Sequence, residues 1–177
     1  MRISGLVAAA ALLLAAGHAG AQPRYGLGTP ATAEQVRGWD IDVRPDGAGL
    51  PPGRGSVAAG AGLYAQHCAA CHGPAGAEGA LVPALRLAGG QGSLRSARPL
   101  LTVGSYWPYA TTLFDYVRRA MPFNAPQSLT AEELYSVTGY VLHLNGLLPA
   151  DAVVDAASLA ALRMPNRDGF RPTAEGR

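Results

Sequence analysis

The sequence predicts an all-α fold: three to four helices around one covalently bound prosthetic group, with irregular extensions at both ends. Three observations predict it. Apolar residues recur at helical spacing in three stretches, over residues 57–68, 110–119 and 130–145. The loops between them are long and rich in Gly and Pro, so polypeptide alone would leave the core under-packed. After the first stretch stands Cys68-Ala69-Ala70-Cys71-His72, the C-x-x-C-H signature of c-type haem attachment. Two cysteines on one side of a helical turn can add to the two haem vinyl groups, and His72 then lies under the iron as its proximal axial ligand. One covalent haem c would supply the large apolar face that the helices lack.

The chain has 177 residues, enough for one domain. Its start is not part of that domain. Arg2, the apolar run Leu6 to Ala16 and Ala19-Gly20-Ala21 have the order of a secretory signal peptide over 1–21, cut before Gln22. The run is too short to span a bilayer, and no second one follows, so no membrane span is expected after cleavage. Export places the protein in the periplasm, where c-type haem is attached. An oxidising compartment could also pair Cys68 with Cys71, but a redox disulfide of that spacing needs a βαβ setting and leaves His72 unexplained. The formal charge is +2, every basic side chain is arginine, and none cluster. A phosphate-tracking surface for nucleic acid is therefore not expected.

Residues 22–55 form an N-terminal arm. Thr32 and Gln35 make a capping box for a short helix, with Val36 and Trp39 expected to face inward. Asp46-Gly47, Gly49, Pro51-Pro52 and Gly53 then break regular structure. Trp39, Ile41 and Val43 argue against disorder, since an apolar stretch seeks a surface to cover. The cytochrome-sized domain follows at 56–146. Val57, Gly60, Ala61, Tyr64 and Ala65 mark its first helix, and Gly60, costly in mid-helix, implies close approach of another helix. Gly73 to Gly92 is loop. A helix from Ala110 to Arg119 buries Leu113, Phe114 and Val117. The last helix is capped by Thr130 and Glu133, carries Leu134, Val137, Val141 and Leu144 inward, and stops at Asn145-Gly146. A C-terminal extension, 147–177, has one helical candidate from Val153 to Arg163.

Three further residues belong to the haem site. Pro83 is placed to offer its carbonyl to the Nδ1–H of His72, a bond that fixes the ring and raises its basicity. Trp107, in the cluster Ser105-Tyr106-Trp107-Pro108-Tyr109, is the candidate donor to a haem propionate, with Tyr106 and Tyr109 as rivals. Met121 is the expected sixth ligand, because a thioether opposite histidine raises the potential and suits electron transfer. Met164 is the other available methionine, but it would need a second crossing of the haem. His67 and His143 read as surface histidines.

Residues 57–145 resemble a class I cytochrome c, in which first and last helices cross at positions matching Gly60, Tyr64, Val137 and Tyr140. A narrower resemblance rests on Trp39-Asp40-Ile41-Asp42-Val43-Arg44-Pro45-Asp46-Gly47, Gly104 to Tyr109, Arg119-Ala120-Met121-Pro122-Phe123, and Met164 to Phe170. These are similar to the cytochrome subunit (SoxD-like, N-terminal haem domain) of the sulfane dehydrogenase of Sox sulfur oxidation. Fuller forms of that family carry two haems, whereas this chain has one C-x-x-C-H. The resemblance implies an electron-transfer subunit rather than a catalyst alone. Its implied partners are a molybdopterin subunit related to sulfite oxidase (SoxC-like) and a downstream cytochrome or oxidase. The alternative is a free-standing periplasmic cytochrome c that shuttles electrons to a terminal oxidase.

Overall fold

The computed structural model describes residues 27–77 and 85–171; the expected signal peptide over 1–21 and Pro83 lie outside them. The chain divides at Trp39/Asp40. In the first unit, helix α1 (Ala33–Trp39) has the expected reciprocal cap. The Thr32 N–H donates to Gln35 Oε1 at 2.8 Å and the Gln35 N–H to Thr32 Oγ1 at 3.2 Å. Val36 and Trp39 do not face inward: they are 49% and 87% exposed. Two turns of helix cannot enclose their own apolar side chains.

The second unit contains β1 (Arg54–Ser56), α2 (Val57–His67), α3 (Ala69–His72), α4 (Ala110–Ala120), α5 (Ala131–Leu144), β2 (Val153–Asp155) and α6 (Ala156–Ala161), with a 3-10 turn at Ser93–Arg95. Ser56 caps α2 by accepting from the Ala59 N–H. Thr130 and Glu133 form the expected box on α5. Phe114 of α4 meets Tyr135 of α5 with ring centroids 4.7 Å apart, and Leu113, Leu134, Val137 and Val141 complete the buried centre.

Helices α2 and α5 cross at Gly60. A Cβ there would sit 2.0 Å from the Ser136 carbonyl oxygen, so the glycine trades helix propensity for backbone-to-backbone contact. Gly139 of α5 makes room instead for β2, since a Cβ there would come within 2.9 Å of the Val154 side chain.

The two strands are the departure from the expected all-helical pattern. They pair antiparallel with Gly55 opposite Val154. Three residues each are too few to show alternation in the sequence. Val153 to Arg163, expected as one helix, splits because the β-branched pair Val153-Val154 extends and Asp155 with Ser158 caps α6.

The arm from Asp40 onward is part of this unit. Asp115 of α4 accepts from the Val43 N–H at 2.9 Å, Thr111 Oγ1 donates to the Pro45 carbonyl, and Arg118 donates to the Ile41 carbonyl at 3.1 Å. Arg119 pairs with Asp42 and Asp115. The C-terminal extension docks on the aromatic segment in the same manner. Asn166 Nδ2 donates to the Tyr106 carbonyl at 2.6 Å, Arg167 lies 4.1 Å over the Tyr109 ring, and Phe170 meets Tyr106 edge-on. Among the described residues no helix is long and apolar enough to cross a membrane.

Candidate haem site

Helix α2 ends at Cys68, and one further turn carries the signature. The Cys68 N–H donates to the Tyr64 carbonyl at 2.9 Å, while the Cys71 and His72 N–H groups donate to the Cys68 carbonyl at 3.1 and 2.9 Å. Residues three apart on such a turn share a face, so the two cysteines are presented together. Cys68 is half-buried, Cys71 is exposed, and both are free thiols. Burial, with Cys71 nearby, pushes the Cys68 thiol up to about 11. A redox C-x-x-C pair needs the opposite shift.

His72 Nδ1 lies 2.6 Å from the Leu85 carbonyl oxygen. A carbonyl only accepts, so Nδ1 carries the proton and Nε2 keeps its lone pair for a metal. Among the described residues the carbonyl that meets His72 is therefore that of Leu85, while Pro83, expected in that role, lies outside them. Gly73, at φ +76°, turns the chain away after the histidine.

Tyr64 braces this turn from beneath. It is 1% exposed, and its hydroxyl donates to the Gly73 carbonyl at 2.9 Å. Burial first, then the neighbouring Cys68 and Tyr140, push its pKa from 10.0 to about 12. The unfolded chain releases this proton first, so the associated stability is complete below pH 10 and is lost as pH rises through 12. Tyr64→Phe is expected to flatten the fall in stability over that window and to cost about 0.5–1.5 kcal/mol at neutral pH, both read from denaturant midpoints followed by circular dichroism.

Helix α4 delivers Met121 as its C-cap, with the Met121 N–H on the Val117 carbonyl at 3.1 Å. Met121 is half-buried and packs on the same core as Cys68, Leu87 and Trp107. Met164 is 1% exposed, enclosed in that core as apolar filling. Trp107 is half-buried and lies edge-on to Tyr116 at 5.8 Å, whereas the rings of Tyr106 and Tyr109 are taken up by the C-terminal extension. His67 is exposed; His143 is half-buried, its Nδ1 2.9 Å from the Leu148 carbonyl.

The donor set fits a haem: two unpaired thiols on one turn, an imidazole whose backbone bond leaves Nε2 free, and a thioether on the rim of the same core. Two contributors were not foreseen. Leu85 acts through its backbone, which its side chain does not announce. Asn145 reads as part of a helix stop, yet it is 6% exposed and its carboxamide reaches into the loops on both sides.

Fold and site together define a class I c-type cytochrome. Residues 55–141 match the family model of cytochrome c oxidase, cbb3-type, subunit III. No curated protein sequence gave a significant match. Among solved structures, the sulfane dehydrogenase SoxCD from Paracoccus pantotrophus matches at 44% identity, over 84% of this chain and 72% of that one, with a TM-score of 0.77. The chain belongs to the SoxD-like class I cytochromes c.

Proposed function

We propose that this chain is the periplasmic, monohaem electron-transfer subunit of a sulfane or sulfite dehydrogenase. It takes electrons from a molybdopterin, sulfite-oxidase-like (SoxC-like) subunit and passes them to a downstream cytochrome or oxidase. The observation that carries this reading is the 44% identity to SoxCD over 84% of the chain, which extends far beyond the haem motif. Haem c supplies reversible one-electron chemistry.

The chain's own residues do the rest. Cys68 and Cys71 anchor through thioethers. His72 offers Nε2 while the Leu85 carbonyl holds its ring and strengthens it as a donor. Met121 offers its thioether from the start of the strap after α4, a position that the enclosed Met164 does not share. Trp107, half-buried on the core that Met121 also joins, is the propionate donor. The arm, with Val36 and Trp39 outward, and the C-terminal extension are the surfaces for the partner.

Co-expression with the molybdopterin subunit, purification from periplasm and stopped-flow spectroscopy test the proposal. Haem reduction is expected on adding sulfite or thiosulfate only when the two proteins are together. A cytochrome that purifies alone and is not reduced by the molybdenum protein is instead a shuttle to a terminal oxidase.

A further inference from the structure

We infer that Asn145 is a positioning residue for the histidine ligand: its carboxamide, at the end of α5, fixes the strand of loop whose Leu85 carbonyl orients His72. The inference rests on the haem reading above and adds to it the element that sets the ligand's donor strength.

The geometry runs in three steps. Asn145 Nδ2 donates to the Leu87 carbonyl at 3.1 Å and to the Val141 carbonyl at 2.9 Å. Its Oδ1 accepts from the Gly89 N–H at 3.3 Å and the Gly104 N–H at 3.1 Å. All four bonding capacities of the carboxamide are therefore used. Its own carbonyl accepts from Gln91 Nε2 at 2.9 Å. The held segment is also pinned from the haem side. The Leu87 and Ala88 N–H groups donate to the Gly76 carbonyl at 2.8 and 2.9 Å, and Gly76 closes the turn that begins at Gly73, beside His72. Leu85 thus sits two residues before a segment clamped between α5 and the signature turn.

The fit around the carboxamide is close. A Cβ on Gly104 would stand 2.3 Å from Asn145 Oδ1, so residue 104 has no side chain because the amide occupies that space. An Nδ1–H that bonds a fixed carbonyl makes imidazole a stronger donor and favours the ferric state. If the carbonyl becomes mobile, that donation weakens.

The test compares Asn145→Ala and Asn145→Ser with Leu159→Ala in the haem-loaded full chain. Leu159 is 1% exposed in the same core but lies on α6, so its truncation reports general destabilisation. The readouts are the midpoint potential and the solvent exchange of the His72 Nδ1 proton by NMR. Either Asn145 variant that retains wild-type circular dichroism is expected to show a raised potential and Nδ1–H exchange at least about tenfold faster; Leu159→Ala should show neither. If neither Asn145 variant folds while Leu159→Ala does, the role is structural and the inference is overturned. Potential and exchange equal to those of Leu159→Ala overturn it too. A wild-type chain with no c-type haem spectrum overturns the haem reading beneath it, a distinguishable failure.

Discussion

Gly60→Ala is expected to cost about 3 kcal/mol or more, because the added methyl would meet backbone, which cannot rotate aside. The Cβ would stand 2.0 Å from the Ser136 carbonyl oxygen and 2.6 Å from its carbon, with Tyr140 Cβ at 2.8 Å. Relief requires α2 and α5 to separate. That movement opens the crossing beneath Tyr64 and the signature turn, so axial ligation of the covalently held haem should weaken along with the fall in the unfolding midpoint. Gly62 gives the matched control. It lies in the same helix, and a Cβ there meets nothing within 4 Å. Gly62→Ala should therefore stabilise α2 by roughly 0.5–1 kcal/mol through helix propensity alone. Opposite signs for two Gly→Ala changes two residues apart, measured by urea unfolding, would isolate the crossing as the cause.

The second large effect is expected at Met121. Met121→Ala should remove the weak near-infrared band that marks thioether ligation of ferric haem, and should lower the midpoint potential. The fold should persist, because Met121 is only half-buried at the end of α4. Met164→Ala should behave in the opposite way. Its side chain is 1% exposed, so truncation is expected to cost about 2–5 kcal/mol while the band survives. A band that survives the first change and disappears in the second would reverse the assignment.

How much was legible beforehand follows from how local each signal is. Capping boxes at Thr32 and Thr130 and the mid-helix glycine at 60 are all written within a few residues, and each appears in the structure as expected; the pentapeptide at 68–72 is as local, and it occupies one helical turn. The strands were not legible, since Arg54–Ser56 and Val153–Asp155 define each other only by pairing across the chain. That a loop carbonyl would hold His72 was legible, but not that Leu85 would supply one, because a backbone carbonyl is alike at every residue.

The phrases behind the SoxD-like resemblance are the intermediate case. They could be recognised in the sequence but not explained from it. Their reason is long-range: Ile41 and Asp42 are tied to Arg118 and Arg119 across 77 residues, and Tyr106 to Asn166 across 60. Arm and C-terminal extension each brace a segment that carries a proposed haem contact, α4 with Met121 and the aromatic run with Trp107. What looks like ornament outside the minimal motif is packing that holds these two segments in place.

One haem joined covalently at Cys68 and Cys71 is the centre of the proposed electron relay. Intact-mass measurement of the denatured protein from periplasm, after exposure to a thiol alkylator, tests it most directly. The expected result is a chain beginning at Gln22, heavier by one haem, with neither cysteine alkylated. A chain without added mass whose two cysteines are alkylated, or are joined to each other, would contradict it.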